Sequence, residues 1–115
     1  MSTTSTIAIC MKNAVFEKLP LALLDIFVDA GGTFTRADGV MVLLKDVEWD
    51  TSDDWVASVY SFLQGQRNGD WLLLEACHDY PTDEDNDAGA WRDNPWSCRK
   101  VVSVNIEHDG EEDKG

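Results

Sequence analysis

Residues 6–11 read Thr6-Ile7-Ala8-Ile9-Cys10-Met11, a run that is short and nearly all apolar. Such a run predicts a strand at the centre of a sheet, and the rest of the chain is read outward from it. Pro20 suits an early helical position, and Leu21, Leu24, Ile26, Phe27 and Val28 continue an apolar helix to Ala30. Gly31-Gly32 should end that helix by supplying a positive φ. Thr33 to Arg36 and Val40 to Leu44 read as a hairpin with Asp38-Gly39 in its tight turn. Asp50 or Thr51 opens a second helix, with Thr51 and Asp54 spaced as a capping box. Within that helix Trp55, Val59, Phe62 and Leu63 recur at the spacing of one buried face, and Asn68-Gly69 stops it. Trp71 to Cys77 is the next strand, Pro81 to Asn94 a polar loop, and Arg99 to Ile106 the last strand.

The element order is therefore βαββαβ followed by one more β. This predicts an α+β, two-layer, ferredoxin-like sandwich over residues 1–106, with two helices on one face of an antiparallel sheet. The extra C-terminal strand should lie antiparallel beside the strand it follows, at a sheet edge. Residues 107–115 form an acidic tail expected to fray.

At 115 residues the chain is long enough for one core, and five Trp and four Phe argue against disorder despite the charge. Three cysteines, Cys10, Cys77 and Cys98, are odd in number and widely spaced. They point to a reducing, cytoplasmic setting rather than a disulfide framework. The apolar run Ile7 to Met11 is too short for a signal peptide, and Leu19 to Val28 is far short of a membrane span.

The charge is unevenly placed. Residues 1–45 hold four acids (Glu17, Asp25, Asp29, Asp38) and four bases (Lys12, Lys18, Arg36, Lys45), which cancel. After Lys45 stand eighteen acids and five bases, 5 − 18 = −13, the whole formal charge of the chain. Much of it falls in three runs, Asp46 to Asp54, Asp79 to Asp87 and Glu107 to Asp113. Such a surface repels nucleic acid and attracts proteins that bind nucleic acid.

In the first run, an extended Lys45 to Asp50 puts Asp46, Glu48 and Asp50 on one face at a spacing of about 6.6 Å, with Val47 and Trp49 on the other. Nucleic-acid phosphates make a comparably dense line, about one per 3.4 Å per strand. Asp50, Asp53 and Asp54 also simply favour a helix N-terminus. The second run places Asp79, Asp83, Glu84, Asp85 and Asp87 in one loop, followed by Trp91 and Trp96. These two indoles read either as anchors for a partner or as a lid on one end of the core.

Asp83, Asp85 and Asp87 open like a calcium loop, but Ala88 stands where the turn needs Gly, and Asn94 replaces the bidentate Glu. Cys77, His78 and Asp79 are strand neighbours pointing to opposite faces, unsuited to one metal ion or to a nucleophile pair. No phosphate-binding glycine loop is present. The reading is a non-enzymatic protein with no cofactor or metal and no direct hold on nucleic acid or membrane.

Small size, a charge of −13, and acids massed at Asp46–Asp54 and Asp79–Asp87 beside Trp91 and Trp96 resemble phage and mobile-element proteins that block host defence, anti-CRISPR proteins and DNA mimics among them. The resemblance is of general character; no family motif accompanies it and no residue role transfers. It implies an acidic inhibitor that occupies the basic nucleic-acid groove of a host nucleoprotein, in the host cytoplasm. The alternative is an accessory or structural subunit that pairs through the sheet edge Arg99 to Ile106, its acids serving solubility. A homodimer fits either reading.

Overall fold

Strand β1 (Thr4–Lys12) runs through the middle of the molecule with seven consecutive buried residues, Ser5 to Met11. The structure is a computed structural model and describes residues 4–50, 52–77, 88–91, 93–96, 99–101 and 105–107. After β1 come a single helical turn α1 (Asn13–Phe16), helix α2 (Leu21–Ala30), the hairpin β2 (Gly31–Arg36) and β3 (Gly39–Glu48), and helix α3 (Asp54–Gln64). A 3-10 turn at Asn68–Asp70 leads into β4 (Trp71–Cys77), followed by the short strands β5 (Ala88–Gly89), β6 (Arg99–Val101) and β7 (Asn105–Glu107). The fold is α+β. Five strands form one open antiparallel sheet in the order β2-β3-β1-β4-β5.

Alternation along the strands sorts the core into two clusters. On one face Ile7, Ile9 and Met11 of β1 meet Val40, Val42 and Leu44 of β3, and Trp71 and Leu73 of β4. All three helices cover this face, through Val15, Leu23 with Phe27, and Val56 with Val59 and Leu63. Each such apolar side chain, once buried, contributes roughly 1.5–3 kcal/mol. The opposite face is equally apolar: Ala8, Cys10, Met41, Leu43, Leu72, Leu74 and Ala76 pack with Phe34, Trp91, Trp96 and Ile106.

That second cluster corrects the two-layer expectation. Residues 99–106 do not make one strand at the sheet edge. Arg99–Val101 and Asn105–Glu107 pair with each other as an antiparallel ribbon, and the ribbon packs over β1 and β4. The reason is burial: a central strand apolar on both sides needs a cover on both sides. The sheet edges are β2 and β5 instead. Glu107, assigned to the tail, is the last residue of β7.

Local turn chemistry also differs from expectation. Gly31 is extended, with φ −143°, and already belongs to β2. Arg36 pairs with Gly39, so Ala37 and Asp38 are the turn. Asn13 holds that turn, its backbone N–H donating to the Asp38 carbonyl (3.1 Å) and its side-chain amide to the Ala37 carbonyl (2.7 Å). Gly39 serves close approach to β1, since a Cβ there would run into the Met11 carbonyl. Gly89, at φ +86°, is where positive φ is needed. Helix α3 begins at Asp54, later than a Thr51 cap requires, and Asp53 at its N-cap makes no side-chain capping bond.

Candidate functional site, an acidic flank

The acidic flank begins at a fault in the β1–β3 register. Ser5 pairs with Val47 but Ile7 pairs with Leu44, so Lys45 and Asp46 together oppose Thr6. This is a β-bulge, and Asp46 adopts φ +53° within it. Before the bulge, Val40, Val42 and Leu44 face the helices; strict alternation would send Asp46 and Glu48 after them. The extra residue shifts the phase. Trp49 joins the helix-side core, Val47 packs against it, and Asp46, Glu48 and Asp50 are exposed.

Magnitudes explain the choice. A non-glycine residue in the left-handed region costs roughly 1–2 kcal/mol, and Asp is among the more tolerant types. Burying a carboxylate without a partner costs several kcal/mol for each ion. The bulge is the cheaper arrangement, and it creates the alternation of acids and apolar side chains expected between Asp46 and Asp50.

Beyond the strand, Asp50 accepts hydrogen bonds from the Ser52 backbone N–H (2.9 Å) and the Ser52 hydroxyl (2.8 Å). These two bonds, the backbone one foremost, hold its carboxyl below the usual value of 3.8, against a small opposing effect of burial. The Asp53 N–H donates to the Asp50 carbonyl at 2.9 Å, closing the turn that launches α3. Asp54 is exposed and Asp53 half-exposed, both at the positive end of the helix dipole. Among the described residues, Glu48, Asp53 and Asp54 form no ion pair.

Aromatic packing floors this flank. Trp49 donates its indole N–H to the Tyr60 hydroxyl at 3.0 Å. Its ring meets Trp55 edge-on at 5.3 Å and Tyr60 at 5.7 Å between centroids. Trp55 and Tyr60 are half-buried.

Asp79, Asp83, Glu84, Asp85 and Asp87 lie outside the described residues. Trp91 and Trp96 are not exposed anchors. Both are buried, edge to face at 6.1 Å, in the cluster that covers the second face of the sheet. Asn94 staples the segment between them: its amide donates to the Trp91 carbonyl (2.9 Å) and its side-chain oxygen accepts from the Trp96 N–H (3.2 Å). The Trp71 carbonyl accepts from the N–H groups of Ala90 and Trp91. Lys12 lies 5.8 Å from the centre of the Trp91 ring and pairs with Asp70 at 3.3 Å, contacts worth about 0.5–1 kcal/mol each at most.

One acid escaped the sequence reading. Glu75 is buried on β4 and accepts a 2.6 Å hydrogen bond from the hydroxyl of buried Ser5. Its signal was a lone acid inside the apolar run Trp71 to Cys77. Among the described residues no three metal-capable side chains come together, and no helix is long and apolar enough to cross a membrane. Comparison with protein-family models, curated proteins and solved structures finds no match.

Proposed function

We propose that this chain is a non-enzymatic acidic inhibitor that binds the basic nucleic-acid groove of a host defence nucleoprotein, in the manner of DNA mimics. The observation that carries the reading is the bulge at Lys45–Asp46, which turns Asp46, Glu48 and Asp50 outward while their neighbours enter the core. Glu48 and Asp50 are two residues apart, about 6.6 Å on extended chain, and Asp53 and Asp54 follow across the turn that launches α3. Lysine and arginine that normally hold phosphate would pair with these carboxylates, and opposite charge would speed association at low salt. Trp91 and Trp96 have no part in it, being buried; Trp49, within the flank, is buried too, and half-buried Trp55 directly follows Asp54. We also read the fold as ferredoxin-like. Its four longest strands in the order β2-β3-β1-β4, all antiparallel, with α2 and α3 over one face, support this.

The test is capture by the tagged protein from host lysate at low and high salt, with bound proteins identified by mass spectrometry. One nucleic-acid-binding complex should be recovered, lost as salt rises and displaced by DNA. Charge reversal of Glu48 with Asp83, Glu84, Asp85 and Asp87 should abolish capture and inhibition while the circular dichroism spectrum stays unchanged. Full activity in that variant would sink the mechanism.

A further inference from the structure

Of the five asparagines in the chain, only Asn68 is followed by glycine. The pair opens the 3-10 turn Asn68–Asp70 between α3 and β4, and both residues are exposed. In any asparagine the side-chain carbonyl carbon and the backbone nitrogen of the next residue can close a five-membered ring. Hydrogen bonds on either group, or a side chain on the second residue, stand against it.

Asn13 and Asn94 are restrained in these ways. The Asn13 amide donates to the Ala37 carbonyl at 2.7 Å, and Ala14 follows it. Asn94 engages both ends of its amide, on Trp91 and Trp96, and Pro95 after it has no N–H to react. Asn68 has none of these restraints. Among the described residues its side chain has no hydrogen-bond partner, and neither has the Gly69 N–H. A Cβ on Gly69 would meet nothing within 4 Å, so the approach to that nitrogen is open. The bonds around the turn hold its neighbours instead. The Asp70 N–H donates to the Arg67 carbonyl at 2.9 Å, and the Ala90 N–H to the Asn68 carbonyl at 2.8 Å. A single exposed 3-10 turn opens locally at little cost, which lets the Asn68 side chain swing over the Gly69 nitrogen.

We propose that Asn68 is a site of spontaneous deamidation, at which the chain gains a carboxylate as it ages. Hydroxide takes the Gly69 amide proton, and the nitrogen attacks Asn68 Cγ. The bond from Cγ to the side-chain nitrogen breaks, and ammonia leaves with a proton from water, which restores the hydroxide. Water then opens the cyclic imide at either carbonyl. Opening at Cγ gives aspartate; opening at the main-chain carbonyl gives isoaspartate. Either product adds one negative charge to the −13 of the chain. In the isoaspartyl form the main chain runs through Cβ and Cγ, and the carbonyl that accepts from Ala90 becomes a side carboxylate. The joint between this turn and β5 is thereby loosened, whereas the aspartyl form keeps it.

The test is incubation of the full chain at mildly alkaline pH below its unfolding temperature, followed by peptide mapping with mass spectrometry. The peptide holding residue 68 should convert from amide to acid as a mixture of aspartate and isoaspartate, faster as pH rises. Gly69→Ala should slow conversion severalfold without unfolding the chain, since the methyl meets open space. Asn68→Gln, whose ring would be one atom larger, should abolish it on the same timescale. Purified isoaspartyl protein should unfold at lower urea than Asn68→Asp, which retains the carbonyl for Ala90. An intact Asn68 throughout, or a rate indifferent to pH and to Gly69→Ala, would overturn the site. An isoaspartyl form as stable as Asn68→Asp would overturn the link to β5.

Discussion

Asp50 and Ser52 make a two-residue device whose effect is measurable. With its carboxyl below 3.8 in the folded chain, Asp50 favours folding at pH values above that figure. The contribution fades as pH falls through the folded value, because protonation removes the acceptor of both Ser52 bonds. Ser52→Ala deletes the hydroxyl donor but keeps the backbone N–H, the larger cause. The Asp50 pKa should therefore rise part of the way back, read by carboxyl NMR titration. Variant and wild type should differ in stability near neutrality and converge in acid; an unmoved Asp50 titration would refute the assignment. At this scale the sequence was readable only in kind. Acids near a helix start were expected, but Asp50 bonds to Ser52 and not to the end of α3, because the chain turns once more before the helix begins at Asp54.

Helix and strand positions were largely legible, since each rests on local periodicity. The span Leu21–Ala30, the strand Trp71–Cys77 and the buried stripe Val59–Leu63 of α3 follow from spacing alone. Single helical turns and two-residue strands such as α1 and β5 are too short to show a period. The link between the end of β3 and helix α3 was equally hidden, because the Trp49–Tyr60 hydrogen bond joins elements through a bulge that alternation does not announce. It offers a clean asymmetry. Tyr60→Phe leaves the buried Trp49 N–H without its acceptor and should cost about 1–3 kcal/mol in urea denaturation. Adding Trp49→Phe to that background removes the orphaned donor, so the double variant should lose less than the sum of the two singles. Strict additivity would mean the bond contributes nothing.

For the whole molecule, the sheet is covered twice, by helices on one side and by the Trp91–Trp96 segment with the β6–β7 ribbon on the other. Its signal stood in Ile7 to Met11, apolar on odd and even positions alike. What covers the second face was not legible, because that depends on contacts between residues far apart in the chain. Trp96→Ala should destabilise the fold by about 3–5 kcal/mol. It should also speed thiol labelling of Cys10, buried in the same cluster, when Cys77 and Cys98 are replaced by Ser. Trp96→Phe should cost less, since it keeps a ring and drops an indole N–H that has no acceptor among the described residues. Unchanged Cys10 labelling in Trp96→Ala would show that the indole is not the cover.

The register fault between Ser5 and Ile7 bears on how such a chain tolerates change. Along β3, parity decides which residues face the helices: even positions do so as far as Leu44, odd ones from Val47 onward. A substitution at Asp46 or Glu48 alters one charge, whereas losing a single codon at Lys45 would exchange inside for outside in everything up to α3. Length at this point is therefore held more tightly than identity, and drift should leave the number of residues between Leu44 and Val47 fixed while the letters there vary.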